Sequence, residues 1–207
     1  MAEVKLTKNA LRELQTKLSQ LQKYSPTLQL KKSMLQLEVN EAKSQLMSII
    51  GRLEQQKEKI KDIAPLLSTN DVMGLEKIDV LPFLEIKEVH KYLDNIAGVE
   101  FYTLDRVEFN EIEYYTFDHP IWLESAVKEL RELIILGQTA RLVEEKKEAL
   151  QHELRQVSIR VNLFDKVLIP RAIDNIKKIK IFLQDQYLAA VSQAKVAKEK
   201  ILKKAAL

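Results

Sequence analysis

Hydrophobic positions recur in heptads at both ends of the chain and lose that rhythm in the middle. Every seventh residue from Leu14 gives Leu14, Leu21, Leu28, Leu35, Ala42 and Ile49, and an offset series gives Leu11, Leu18, Val39, Leu46, Leu53 and Ile60. Alternating steps of three and four confine apolar side chains to a narrow seam, which a helix hides by winding against another helix. The second end repeats the pattern through Leu133, Leu136, Ala140, Val143, Leu150, Leu154, Val157, Val161, Phe164 and Leu168, interrupted by Lys147. After Pro170 it resumes in a shifted phase through Ile173, Ile176, Leu183, Tyr187, Ala190, Ala194, Ala197 and Ile201. The pattern predicts a mainly α chain: a long antiparallel two-helix coiled coil of N- and C-terminal helices, with a small insert between them. Three segments follow: a helix over 1–62, an insert over 63–120 and a helix over 121–207 that pairs with the first.

The first helix is expected to begin near Thr7 or a few residues earlier and to end near Asp62. Pro26 lies inside it, between Ser25 and Lys32 on the seam, but the heptad phase is unchanged across the proline, which favours one kinked helix over two. In the insert, Ile86, Val89, Leu93 and Ile96 keep helical spacing after Pro82 and before Gly98, so a short helix is predicted there. Strand formers follow. Val99 to Leu104 and Val107 to Phe109 alternate around Asp105 and Arg106, and Ile112 to Phe117 is rich in strand-favouring residues, predicting one small β-hairpin. The last helix starts near Ile121 or Trp122, where the indole reads as local core. At 1.5 Å per residue it is on the order of 125 Å long against about 90 Å for the first. Residues 183–207 are therefore expected to extend past the partner helix as a basic helix with a thin, alanine-lined seam.

Composition changes this picture little. Four glycines and five prolines in 207 residues are too few for a loop-rich domain, and 30% charged residues suit helices with two solvated faces. The absence of cysteine excludes disulfides, a thiolate nucleophile and a thiolate metal site, and a cytosolic setting is the expectation. No apolar run reaches the roughly 20 residues needed to span a bilayer, and Met1 to Lys8 lacks the apolar core of a signal peptide. Charge is informative. The formal net charge of +3 divides into +5 for residues 1–62, −8 for 63–122, 0 for 123–170 and +6 for 171–207. A chain folded back on itself would carry basic segments at one end and an acidic insert at the other, and opposite charges steer docking.

Candidate chemistry is sparse. No Gly-x-x-x-x-Gly-Lys-Ser/Thr or Gly-x-Gly-x-x-Gly is present, so no nucleotide or other cofactor is expected. His90, His119 and His152 have no metal-ligand spacing, and no metal is expected. Glu108, Glu111, Glu113 and Asp118 read as a solvated or partner-facing patch rather than an acid and base pair, so no catalytic residue is assigned. Lys195, Lys198, Lys200, Lys203 and Lys204 cluster near the C-terminus, where helical arms can track phosphates, but no aromatic residue is interleaved for base stacking. A scaffolding or tethering coiled coil and a homodimer share the same periodicity, because heptads specify a helical partner without saying whose helix it is.

One stretch carries a family resemblance. Arg160-Val-Asn-Leu-Phe-Asp-Lys-Val-Leu-Ile-Pro170-Arg171, followed by Ala172, Ile173, Asp174, Asn175 and Ile176, resembles the signature of the D subunit of the V-type and A-type rotary ATPases. Thr7-Lys8 followed by Leu11, Leu14 and Leu18, Leu30-Lys31-Lys32, and Asn95 to Gly98 just before the expected hairpin reinforce it. Ser25-Pro26 stands where that family often has a small residue and glycine, and Phe164 replaces a small or aliphatic residue. The resemblance implies a non-catalytic rotor shaft of the central stalk, passing torque between an ATP-hydrolysing or ATP-synthesising head and a membrane ion-translocating ring. It implies as partners the A and B subunits of the head, the small F subunit of the stalk, and the socket protein of the ring known as C or d. It also implies a peripheral place on the cytoplasmic face, without membrane insertion or nucleic acid. The contact residues expected on this reading are Lys195, Lys198, Lys200 and Arg171 on the last helix, and Phe101, Tyr102 and Phe109 on the insert.

Overall fold

The computed structural model describes residues 5–68, 80–110 and 122–205. In chain order the elements are helix α1 (Lys8–Ser68), a 3-10 turn (Leu81–Leu84), strands β1 (Ile86–Ile96) and β2 (Val99–Phe109), helix α2 (Trp122–Leu163), a π-helical turn (Phe164–Leu168) and helix α3 (Ile169–Ala205). The fold is mainly α, with long helices at both ends and a two-stranded antiparallel sheet between them. Two compact units can be described separately: Met1–Lys32 with Gln156–Leu207, and Ser33–Arg155.

Helix α1 begins where the side chain of Thr7 accepts a hydrogen bond from the Ala10 backbone N–H at 3.2 Å, satisfying one of the free donors of the first turn. It continues to Ser68, past the end expected near Asp62, and it runs unbroken through Pro26. Both heptad series are covered along its length. Leu21, Leu35, Val39 and Ala42 are buried, and the other apolar seam residues from Leu11 to Ile60 are half-buried. Polar residues complete the series. Ser25 stands between Leu18 and Lys32 in one, and Gln56 follows Ile49 in the other; they are 7% and 3% exposed. Gln56 is accommodated because its side-chain amide donates to the backbone carbonyl of Glu129 at 3.2 Å and to the Glu129 carboxylate. A buried amide with both contacts made does not carry the cost of an unpaired one.

In the unit formed by 1–32 and 156–207, the helices pair antiparallel. Ser25 meets Asp165, while Leu21, Leu14 and Ala10 share a groove with Leu168, Ala172 and Asn175. The seam of the second member of this pair shifts by one residue at the π-turn. Before it, Val157 and Val161 are buried; after it the buried residues are Ala172, Ile176 and Ile179, whereas the unshifted rhythm would require positions 171, 175 and 178. A π-turn accommodates one extra residue, which accounts for the displacement. It also accommodates Pro170: proline lacks an N–H and its ring clashes with the carbonyl four residues back, so a widened turn ahead of it relieves both problems. The Ile169 N–H bonds to the Phe164 carbonyl. Ile173, expected on the seam, is consequently exposed, and Ala172 takes its place.

The π-turn also presents Asp165 to α1. Ser25 Oγ donates to Asp165 Oδ1 at 2.6 Å and Gln29 Nε2 donates to Oδ2 at 2.8 Å. The Ser25 hydroxyl and then the Gln29 amide hold the Asp165 carboxyl below its ordinary range against a weaker opposing effect of desolvation, with the charge of Lys32 the smallest contribution.

In the unit 33–155, the insert corrects one expectation. Residues 86–96 form strand β1, not a short helix, and the helical element before them is only the four-residue 3-10 turn that starts with Leu81 and Pro82. β1 pairs with β2 through a two-residue loop, Ala97 and Gly98, bounded by the pair Ile96 and Val99. Both loop residues have positive φ, 53° and 84°, as in the mirror-image turns whose twist matches that of paired strands. The Asn95 side-chain oxygen accepts the Gly98 N–H at 2.9 Å. Gly98, read from sequence as a helix stop, is therefore the second residue of a hairpin turn. The pairing this turn provides outweighs the helical spacing of Ile86, Val89, Leu93 and Ile96, since an isolated helix of about eleven residues is marginal. Asp105 and Arg106, around which the apolar residues alternate, lie within β2. The register makes Asp105 the extra residue of one bulge and Lys87 that of another. The third expected strand, Ile112 to Phe117, lies outside the described residues.

The seam and the Asp165 contact generate two predictions. Leu150 is fully buried, so Leu150→Ala should cost about 2–5 kcal/mol. Leu150→Asp should cost more by leaving a charge unpaired, whereas Leu154→Asp at a half-buried position should cost less; urea unfolding followed by helical circular dichroism measures all three. For Asp165, a folded pKa below the unfolded value adds stability that is present above the unfolded carboxylate value of about 3.9 and is lost as pH falls through the folded value. Thermal unfolding below about pH 4 should therefore show a smaller acid-induced drop for Asp165→Asn than for the unchanged chain. A third prediction concerns the turn: Ala97→Asn, better suited to positive φ, should stabilise the hairpin by up to about 1 kcal/mol, read as slower amide exchange across β1 and β2.

Candidate functional site

The surfaces offered by the described residues are of two kinds, a bare stretch of helix and an anchored hairpin. Helix α3 is amphipathic, with Tyr187, Leu188, Val191, Val196, Ile201 and Leu202 among its larger apolar residues. None of residues 184–202 is even half-buried. Lys195, Lys198 and Lys200 lie in this stretch with fully solvated surroundings. They therefore share an exposed helix with apolar side chains that no other described part of the chain covers. Arg171 is elsewhere on the same helix. It is exposed and lines an open groove of about 550 Å³ with Lys5, Glu13, Leu14, Lys17, Leu21 and Leu168 among others.

The hairpin shows why its three aromatic residues are not equivalent. Successive residues of a strand face opposite ways. Phe101 is 5% exposed while its neighbour Tyr102 is 55% exposed. The ring of Phe101 lies under the Lys146 ammonium of α2, 4.7 Å from the ring centre, and that of Phe109 lies under the Arg131 guanidinium at 5.0 Å. Arg131 also donates from Nε and Nη2 to the Phe83 carbonyl at 3.0 and 2.9 Å, which ties the 3-10 turn to the same helix. Phe101 and Phe109 thus serve as anchors between the insert and α2. Tyr102 faces solvent, and directly opposite it in the register stands Leu93, also 55% exposed, next to exposed Tyr92. Sequence reasoning misses Tyr92 and Leu93, because a helical reading of β1 leaves them with no relation to Tyr102.

Titratable groups converge at one place among the described residues. His90 and Glu88 of β1 and Glu108 of β2 each offer a ligand atom, all within 4.8 Å of one another. His90 Nε2 lies 3.2 Å from Glu108 Oε1 and 3.8 Å from Glu88 Oε2. Arg106 Nη2 meets the same Glu108 oxygen at 3.0 Å. Glu111, Glu113, Asp118 and His119 lie outside the described residues. No described helix is long and apolar enough to cross a membrane.

Comparison with known proteins agrees with this architecture. The family model for the D subunit of ATP synthase matches residues 10–199. The D subunit of the V-type ATP synthase of Chlamydia abortus is 40% identical over 200 residues, covering 97% of this chain and 94% of its own. That of Chlamydia trachomatis serovar L2 is 40% identical over 204 residues, 97% of each chain. That of Borreliella burgdorferi is 37% identical over 206 residues, covering 99% and 98%. A match over nearly the whole length, on a chain with long helices at both ends and a hairpin between them, means that the chain belongs to the D-subunit family of V-type ATP synthases.

Proposed function

We propose that this protein is the rotor shaft of the central stalk, transmitting torque between the nucleotide-driven head and the ion-translocating ring in the membrane. The observation that carries the reading is the contrast within one unit. Up to Leu183 the helix keeps buried and half-buried seam positions, among them Ala172 beside α1, Ile176 and Ile179, whereas residues 184–202 of the same helix expose an apolar and basic surface along their whole length. Paired helices resist bending, and a bare helix that continues from them is suited to insertion into a cavity. Residues 1–62 and 121–207 form the shaft on this reading, and 63–120 form the insert.

The exposed stretch enters the head formed by the A and B subunits, with Lys195, Lys198 and Lys200 facing acidic lining and Arg171 acting lower on the shaft. The insert and lower coiled coil engage the small F subunit of the stalk and the socket protein of the ring. Tyr102, beside Leu93, offers the outward contact; Phe101 and Phe109 act from beneath by holding the hairpin to α2. The shaft performs no bond chemistry of its own and works at the cytoplasmic face of the membrane without entering it.

The test is reassembly of the complex with Lys195, Lys198 and Lys200 all changed to Gln. At about 0.2–1 kcal/mol for each exposed ion pair, affinity for the head should fall roughly threefold to a hundredfold, with a parallel loss of coupling between ATP hydrolysis and ion pumping. Unchanged assembly, hydrolysis and pumping would remove the basic helix from the interface. Recovery of the native chain as a free homodimer, without the head, would remove the rotor reading itself.

A further inference from the structure

The hairpin brings together three side chains that neither the heptads nor the rotor reading uses. Glu88 and Glu108 are register partners on neighbouring strands, so two carboxylates face each other across the ladder. Like charges in that position destabilise a strand pair unless something positive lies between them. His90 is two residues along β1 from Glu88, on the same face of the strand, and its Nε2 approaches both carboxylates.

The orientation of that nitrogen is informative. His90 Nε2 is closed off from solvent and lies only 3.2 Å from a carboxylate oxygen, yet it makes no hydrogen bond. A hydrogen bond requires the ring nitrogen to point at the oxygen. Two ligands of one ion behave differently, since each points at the ion and not at the other. With bond lengths of about 2.0–2.2 Å and roughly tetrahedral angles, ligand atoms on a common zinc-like ion stand about 3.3–3.6 Å apart. The two separations from His90 Nε2, 3.2 and 3.8 Å, bracket that spacing, and all three ligand atoms lie within 4.8 Å of one another, a gap that small side-chain rotations close around an ion.

We propose that Glu88, His90 and Glu108 form a binding site for a borderline divalent transition ion of the Zn²⁺ class, with water completing its coordination. One imidazole and two carboxylates are a ligand set suited to such an ion, and to Mg²⁺ or Ca²⁺ far less, since those prefer oxygen alone. The ion neutralises the facing carboxylates and ties β1 to β2 across the ladder. Its competitor is Arg106, 65% exposed at its side chain, which already meets Glu108 Oε1 and yields that oxygen when the ion binds. The site escapes a search for sequential motifs because Glu108 reaches His90 only through strand pairing.

The experiment is titration of the full-length, chelator-treated chain with Zn²⁺ alone by calorimetry, with Co²⁺ absorption reporting the coordination geometry. One saturable site is expected. His90→Ala and Glu108→Gln should each weaken it at least about tenfold, and the exposed Glu88→Gln about threefold or more, with helical content unchanged. Arg106→Gln should tighten it about two- to fivefold by removing the competing cation. His152→Ala should leave it unaltered. Absence of binding at about millimolar Zn²⁺, or binding unchanged in both His90→Ala and Glu88→Gln, overturns the site. So does tightening absent from Arg106→Gln together with equal loss in His152→Ala, which would locate the ion elsewhere.

Discussion

The constraint on which the structure depends is that a seam only two residues wide must find a matching seam on another helix. Leu35, Val39 and Ala42 on α1, and Leu150, Val157 and Ile179 on the later helices, are buried nearly or wholly, while most positions between them are exposed. Such a narrow stripe cannot form a globular core, because a helix presents too little apolar area to shield more than one neighbour. Everything else is adjusted to keep the two stripes facing. The π-turn adds a residue where the second stripe changes phase, and that turn carries Asp165 to Ser25 and Gln29. The polar contact occurs at a place where the apolar stripe is interrupted, by Ser25 on one helix and by the shift itself on the other. Hydrophobic contacts tolerate sliding by a heptad. A hydrogen-bonded pair with one solution does not, and so it fixes register in the manner of a buried polar residue in a coiled coil.

The insert follows different physics. A two-stranded sheet alone is marginal in water, so the hairpin needs an outside anchor. That anchor comes from cations of α2 lying on aromatic rings of β2, supplemented by the Arg131 hydrogen bonds to the Phe83 carbonyl. Attachment from one side leaves the other side of the hairpin exposed, which is why Phe101 and Tyr102, adjacent in sequence, have opposite environments.

Which parts of this are legible in the sequence follows from the range of the forces involved. Leu14, Leu21 and Leu35 announce their seam because helical periodicity is local and repeats many times, and Thr7 announces the first cap for a similar reason. The phase change after Pro170 is visible and places Ile176 correctly, but choosing Ala172 over Ile173 requires knowing that five residues form a π-turn. β1 reads wrongly as a helix because Ile86, Val89, Leu93 and Ile96 satisfy helical spacing. What marks it as a strand lies in its partner and in the positive φ of Ala97, an uncommon residue for that conformation. Among the candidate contact residues, the exposed basic character of Lys195, Lys198 and Lys200 follows from the last helix being longer than its partner. The division between anchoring Phe101 and outward Tyr102 needs the correct strand.

A chain built this way can contribute to a machine only through what it leaves uncovered. Most of its buried residues on the long helices are used in pairing seams, and the sequence holds neither a cysteine nor a glycine-rich phosphate-binding motif. On the rotor reading, these two facts belong together. A catalytic pocket would require loops and cavities that interrupt the seam, and every interruption would add a compliant point through which torque is lost. The one large deviation in the described helices, the π-turn ahead of Pro170, is the place where a short, charge-assisted contact crosses between the helices. The backbone departs from regularity there, and Ser25, Gln29 and Asp165 bond directly across the two helices at the same point.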